Sequence, residues 1–307
     1  MGQDEACVKK GLAMILCFDI GGSRIKAGLA KGDALLSLGE VATPTDNLDQ
    51  FLAALVGFSQ PNMIGVAVSI AGAIGPVSKI ANIPCLNGTD VRAVLAGAFA
   101  CPVLVLNDAD AFALAEAGHG AGRGFSRVFA IILGSGVGGG IVLDGQVIAG
   151  AGEWGHGPIM QNPAWPCGCG QTGCLDTVGS ARGLERLGDG RATDIVRDWE
   201  QGGTDPTVPH WLDLVSGPLA MAINLLSADI VPVGGGLANA PRLIAALDHA
   251  VRGKILRQTN APIVVCAQTS ADAGLLGAAM AGWRQFGRRQ FGRIDSGQIY
   301  ADSDAKD

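Results

Sequence analysis

Phe129-Ala-Ile-Ile-Leu-Gly-Ser-Gly-Val-Gly-Gly-Gly-Ile-Val-Leu143 is the stretch on which the fold turns. Gly134 to Gly139 formally match G-x-G-x-x-G, but a dinucleotide-binding loop of that kind must open a helix. Here Ile141-Val-Leu-Asp-Gly-Gln-Val-Ile148 continues as a strand, a turn at Asp144-Gly145 and another strand, which refuses the Rossmann reading. What remains is strand, glycine turn, strand. So dense a run of glycines exceeds what a tight turn needs, and it points to a hairpin whose backbone N–H groups grip phosphate. Asp19-Ile-Gly-Gly-Ser-Arg-Ile-Lys-Ala-Gly-Leu29 repeats the same order near the N-terminus. The echo predicts a duplicated fold in which the two turns face one another across a cleft and hold a polyphosphate from both sides.

Outward from these hairpins, buried-strand patterns at Met14 to Asp19, Met63 to Ser69, Val103 to Leu106, Phe129 to Leu133, Ile230 to Val233 and Ile263 to Val265 alternate with longer helical ones. The helical patterns are Leu48 to Gly57, Ala109 to Gly118, Ala181 to Leu187, Leu212 to Leu226, Arg242 to Arg257 and Asp272 to Trp283. Alternation of this kind is an α/β architecture. The 307 residues suffice for two domains with separate cores, expected at 12–117 and 118–283, followed by a polar tail over 284–307 that packs loosely or frays.

Composition narrows the partners. A formal charge of -6 leaves no general basic surface, which disfavours nucleic acid and anionic lipid and favours small molecules. Asp4 and Glu5, and the interruption of the apolar run Leu12 to Phe18 by Asp19, are wrong for a secretory signal. Met1-Gly2 lacks the Ser or Thr of a myristoylation site, since Ala6 stands there. The most apolar window, Val128 to Leu143, is too short and too broken by glycine to span a membrane. A cytoplasmic protein is expected, in which the eight cysteines stay thiols or bind metal.

Those cysteines fall into two kinds. Cys167-Gly-Cys-Gly-Gln-Thr-Gly-Cys174 follows Glu153-Trp-Gly-His156, and one imidazole with three thiolates is a complete tetrahedral set for structural zinc on His156, Cys167, Cys169 and Cys174. A redox pair would need Cys-x-x-Cys at a helix start, which these spacings are not. Cys7, Cys17, Cys85, Cys101 and Cys266 lie in or beside apolar runs and read as small core residues. Asn107-Asp108 sits at the carboxyl end of a strand, where open α/β sheets collect ligands, although either residue would also serve as a helix cap. Asp19 at its strand end suits a magnesium-bound water or a turn cap equally. Gly234-Gly-Gly236 offers a flat backbone surface to an adenine or ribose.

Together these motifs resemble the ROK family of bacterial sugar kinases and repressors, over about Met14 to Trp283. Asp19-Ile-Gly21-Gly22-Ser23-Arg24 resembles the first phosphate motif, with Ser-Arg where Thr-Lys is usual. Gly134, Ser135, Gly136, Val137 and Gly138 resemble the second, and Gly234, Gly235 and Gly236 the adenosine motif. The resemblance implies a two-lobed actin-like ATPase (ribonuclease H-like) fold and phosphorylation of a sugar by ATP with Mg2+, at the sixth hydroxyl. It implies Asp108 as the catalytic base and sugar contacts from Asn82, Asn107, Asp108, Glu153, His156 and Asp176, the last where the family usually has Glu. Ser69-Ile-Ala-Gly72 departs from the family's more usual Pro-Gly. An N-acetylhexosamine is slightly preferred over glucose, fructose or mannose, and a homodimer is the default assembly. A sugar-sensing repressor is disfavoured, because the first strand begins within fourteen residues and leaves no room for a three-helix DNA-binding unit.

Overall fold

The glycine-turn hairpins form as expected, one in each of two compact units, in a computed structural model that describes residues 13–32, 34–80, 82–269 and 272–287. One unit runs to Leu106 and resumes at Leu275; the other is Asn107 to Gly274. Cys7, the N-terminal residues weighed for targeting, and the tail from 288 onward lie outside the described residues.

In the first unit, β1 (Met14–Ile20) pairs antiparallel with β2 (Arg24–Lys31), which pairs with β3 (Ala34–Ala42). On its other side β1 pairs parallel with β4 (Met63–Ile70), and β5 (Val103–Asn107) completes the order β3-β2-β1-β4-β5. Helices α1 (Leu48–Val56) and α2 (Val91–Phe99) are started by side-chain caps: Asn47 Oδ1 accepts from Gln50 N at 2.9 Å and Asp90 Oδ1 from Ala93 N at 3.0 Å. Phe18, Phe51, Leu55, Val66 and Leu95 are fully buried in this core.

The second unit repeats the layout. Helix α3 (Asp108–His119) is followed by the hairpin β6 (Arg127–Leu133) and β7 (Val137–Leu143), then β8 (Gln146–Val147). The short helices α4 (Asp176–Gly179), α5 (Ala181–Leu187) and α6 (Ala192–Glu200) lead to the long α7 (Thr207–Leu226), which buries Trp211, Val215 and Leu219. Strand β9 (Val231–Gly234), helix α8 (Pro241–Arg252) and strand β10 (Val264–Cys266) close the unit. Its sheet order, β8-β7-β6-β9-β10, matches the first sheet element for element, so the duplication inferred from the two hairpins is present in the topology.

Several expectations change. The division falls at Leu106/Asn107 rather than after 117, because α3 packs onto β7: a Cβ at Gly140 would run into Ala109 O and Ala113 Cβ. At the other end, α9 (Ala273–Gly282) brings Leu275 and Ala278 against Ile15 and Ala67 of the first sheet. The polar tail does not begin at Arg284, since Trp283–Gly287 form a π-helical turn with Phe286 buried against Gly65. Strand β3 and helices α2 and α6 were not anticipated, and α7 starts at Thr207 rather than Leu212. Among the described residues no helix is long and apolar enough to cross a membrane.

Candidate functional site

Helix α3 begins where β5 ends, and its first turn carries the expected base. Asn107 keeps extended backbone and caps the helix, its Oδ1 accepting from Ala109 N at 2.8 Å; Asp108 Oδ1 accepts from the same N–H at 3.0 Å. The capping role is therefore real for Asn107, and it leaves Asp108 half-buried with its second oxygen uncommitted to the cap. Burial raises the Asp108 carboxyl above the usual aspartate range and the Glu153 charge raises it further, against the lowering effect of the Ala109 N–H. A carboxylate of this kind is a better proton acceptor than a solvated one. Since Glu153 contributes part of the rise, Glu153→Gln should move the acidic limb of the rate profile to lower pH, which a pH series on the purified variant would read.

Glu153 is exposed on a segment pinned to β7. Gly152 has φ +96 and lies so close to Gly139 that a side chain on either would strike the other's backbone. Trp154 Nε1 donates to Gly138 O at 2.9 Å and stacks edge-on against Phe129, while Asp176 N donates to Gly155 O at 2.8 Å. Gly139 and Gly140 thus serve close packing against Gly152 and α3.

The turn itself is Gly134-Ser-Gly136, closed by Gly134 N donating to Gly136 O at 3.0 Å. Asp176 Oδ1 accepts from Val137 N at 2.7 Å and lies against Gly136, and Arg182 Nε donates to Ser135 O at 2.6 Å. Gly234 ends β9 alongside Ile132 of β6, and Gly235, at φ +86, packs onto Leu133 O beside Gly134. The Gly134 turn and Gly234-Gly-Gly236 are therefore neighbours at the carboxyl ends of two parallel strands, a position that open α/β sheets use for ligands.

His156, Cys167, Cys169 and Cys174 converge, with one ligand atom from each lying within 4.8 Å of all the others. Cys167 Sγ is 3.6 Å from His156 Nδ1, and Cys169 Sγ is 3.6 Å from Cys174 Sγ. Four ligands at zinc–sulfur distances of about 2.3 Å stand about 3.8 Å apart on a tetrahedron, so the donor set fits that ion. The thiols differ: Cys169 is lowered to about 7, chiefly by the Gln171 backbone N–H, while burial pushes Cys167 up to about 11. Of the other described cysteines, Cys17 is fully buried and its thiol is pushed up to about 12, as a core residue should be; Cys85, Cys101 and Cys266 are half-buried.

In the first unit, Asp19 Oδ1 accepts from Ser69 Oγ at 3.0 Å. Gly21 N donates to Arg24 O at 2.9 Å, Thr43 Oγ1 to Gly21 O at 2.7 Å, and Thr43 N to Ser23 O at 3.2 Å, so the first glycine turn is tied to β3. Asn82 packs on Gly22, where a Cβ would come within 2.9 Å of Asn82 Cβ. Arg24 is exposed and ion-paired with Glu40 at 2.9 Å.

Two acidic residues escaped the sequence reading. Asp110 is buried in α3, and its Oδ2 accepts from Gly150 N at 2.8 Å. Glu116, also fully buried, accepts from the N–H groups of Ala121, Gln268 and Thr269 and ties the end of α3 to the loop after β10. The available signal was an acid at each of two positions in an otherwise apolar helix, Ala109 to Ala117.

The ROK family pattern matches residues 15–283. An N-acetylgalactosamine kinase of Shewanella sp. strain ANA-3 is 33% identical over 86% of this chain and 95% of its own length. An N-acetyl-D-glucosamine kinase of Erwinia tasmaniensis is 32% identical over 87% and 98%. The crystal structure of a ROK hexokinase from Thermus thermophilus superposes with a TM-score of 0.79 at 30% identity, covering 89% of this chain and 98% of that one. The fold is accordingly the actin-like ATPase class, with one mixed five-stranded sheet in each unit. With a match spanning nearly all the described residues and relatives at this identity, the chain belongs to the ROK family.

Proposed function

We propose that the chain is an ATP-dependent sugar kinase acting on an N-acetylhexosamine at its sixth hydroxyl, with Asp108 as the base. The observation that carries the proposal is the half-buried Asp108 carboxyl, raised in proton affinity, on the same unit as Glu153 and the Gly134 turn. Asp108 aligns the hydroxyl and takes its proton; the hydroxyl oxygen then bonds to the γ-phosphorus as the bond to the β–γ bridging oxygen breaks and ADP leaves. In such a transfer the protein's part is alignment and charge stabilisation, and Mg2+ supplies neutralisation of the phosphate oxygens. Asp19, near the end of β1, would hold a water of that ion. The turns at Gly21 to Arg24 and Gly134 to Gly138 hold phosphate, and Gly234 to Gly236 hold the adenosine. Asn82, Asn107, Glu153, His156 and Asp176 hold the sugar.

Zinc on His156, Cys167, Cys169 and Cys174 is structural in this account, since four protein ligands leave no open position. With Nδ1 facing Cys167, the Nε2 edge of His156 remains for a sugar hydroxyl, so metal binding orients a substrate contact. Preference for an N-acetylated sugar rests on the two N-acetylhexosamine kinases, and a neutral hexose is the second reading, favoured by the likeness to the Thermus hexokinase. A homodimer is the assembly we assign, the commonest closed symmetry.

Asp176 already spends Oδ1 on the Val137 N–H, so it acts on the phosphate turn as well as the sugar side. Asp176→Ala should raise the KM for ATP about tenfold, the loss of one hydrogen bond to a charged acceptor; initial rates over an ATP series check it. The whole reading is tested by ADP release with ATP and a panel of N-acetylglucosamine, N-acetylgalactosamine, N-acetylmannosamine, glucose, mannose and fructose. Release stimulated by an N-acetylated member supports the proposal; stimulation by none contradicts it.

A further inference from the structure

Asp110 shares the first turn of α3 with Asp108 but faces the other way, into the protein. Only 2% of it is exposed. Its Oδ2 accepts from Gly150 N at 2.8 Å, and its Oδ1 is buried without a hydrogen-bond partner among the described residues. A buried carboxylate oxygen without a partner costs free energy, so the side chain is held there by what its other oxygen does. Burial, together with the charges of Glu153 and Asp108, pushes its carboxyl up to about 6.

What the other oxygen does is fasten one end of the segment that carries Glu153. After β8 the chain passes through Gly150, at φ +71, and Gly152, at φ +96, before Glu153. Downstream, the segment is clamped by Trp154 Nε1 to Gly138 O and by Asp176 N to Gly155 O. Upstream, Gly150 N is held by Asp110, and the turn hydrogen bonds of Ile148 N to Ile141 O and Ala151 N to Ile148 O complete the anchorage. Two glycines in conformations that other residues avoid make the segment intrinsically loose, so its Glu153 depends on both clamps.

From this geometry we infer that Asp110 is a positioning residue for the sugar site: by accepting from Gly150 N it fixes the segment bearing Glu153 to the same helix that bears Asp108. The base and the sugar-side carboxylate are thereby referred to one rigid element. This inference rests on the kinase reading for its catalytic consequence, but its structural half stands without it.

The test compares Asp110→Ala and Asp110→Asn with the wild type. An asparagine keeps an oxygen for Gly150 N, whereas alanine removes it. Asp110→Ala should raise the KM for the sugar that the wild type turns over fastest, about tenfold for a lost hydrogen bond to a charged acceptor, with the KM for ATP unchanged. Asp110→Asn should restore most of that loss. Independently of activity, amide hydrogen exchange on the sugar-free protein should quicken from Gly150 to Glu153 in Asp110→Ala and stay near wild type in Asp110→Asn, with α3 still protected in both. Unchanged exchange in Asp110→Ala, or an asparagine variant as impaired as the alanine one, would overturn the inference. A wild type that phosphorylates no sugar would instead sink the kinase reading, and exchange alone would then decide the role of Asp110.

Discussion

Asp108→Asn is expected to lower kcat by roughly 10²–10⁴-fold, the usual contribution of a positioned general base. The substitution keeps the shape of the side chain and an oxygen for the Ala109 N–H, so α3 should start as before and the sugar KM should stay within a few-fold. What disappears is the acceptor for the hydroxyl proton. The loss should be confined to the chemical step, because the residues that hold the Gly134 turn, Asp176 and Arg182, do not involve Asp108. Steady-state kinetics with both substrates varied would show a fall in kcat with little change in either KM. Near-normal turnover would remove Asp108 from the role of base.

Cys169→Ser is expected to abolish zinc binding and to lower the melting temperature by on the order of 10 °C, since the binding free energy of a structural zinc is also folding free energy. Apart from Met160 and Trp165, which pack on the core, and Arg186 over the Trp165 ring, the segment from Gly155 to Cys174 has little else to order it. It contains no regular helix or strand, and its internal ties are single backbone hydrogen bonds such as Met160 N to Gly173 O and Cys167 N to Gln171 O. Cys174 is fully buried and Cys169 exposed, so the ligands bridge the core to an outer loop. Removing one thiolate leaves three ligands and a loop free to open. Because His156 lies on that loop one residue from the Gly155 contact with Asp176, the sugar KM should rise as well. Metal analysis and a thermal melt read both effects, and an unchanged metal content with an unchanged melt would contradict the assignment.

The hairpins were legible because strand, glycine turn and strand are local features, and the echo of one in the other carried the duplicated topology. The convergence of His156, Cys167, Cys169 and Cys174 was legible because ligand chemistry is written in residue identity: four donors within so short a stretch need no tertiary information to be suspected. The strand end at Asn107-Asp108 was legible as a place for a polar pair, but cap and ligand residue could not be told apart there, and Asn107 is the cap. Other features were hidden because their partners are distant in sequence. Asp110 meets Gly150, and Asp176 meets Val137, across gaps of 40 and 39 residues that no periodicity reports. The packing reason for Gly139 and Gly140, the close approach of Gly152 and α3, was hidden in the same way. Strand β3 escaped because neither face is buried and Gly39, at φ +108, interrupts its pattern. The boundary at Leu106 was not visible because which sheet a helix packs on is decided by small residues such as Ala113, which look alike on either side.

Direct observation of phosphoryl transfer bears most immediately on the account. Wild type and Asp108→Asn, each loaded with zinc, are incubated with ATP, Mg2+ and N-acetylglucosamine or N-acetylgalactosamine, and ADP and phosphosugar are quantified together. Equal amounts of ADP and a sugar 6-phosphate are expected from the wild type and nearly none from the variant. ADP formed without phosphosugar, or equal product from both proteins, would contradict that expectation.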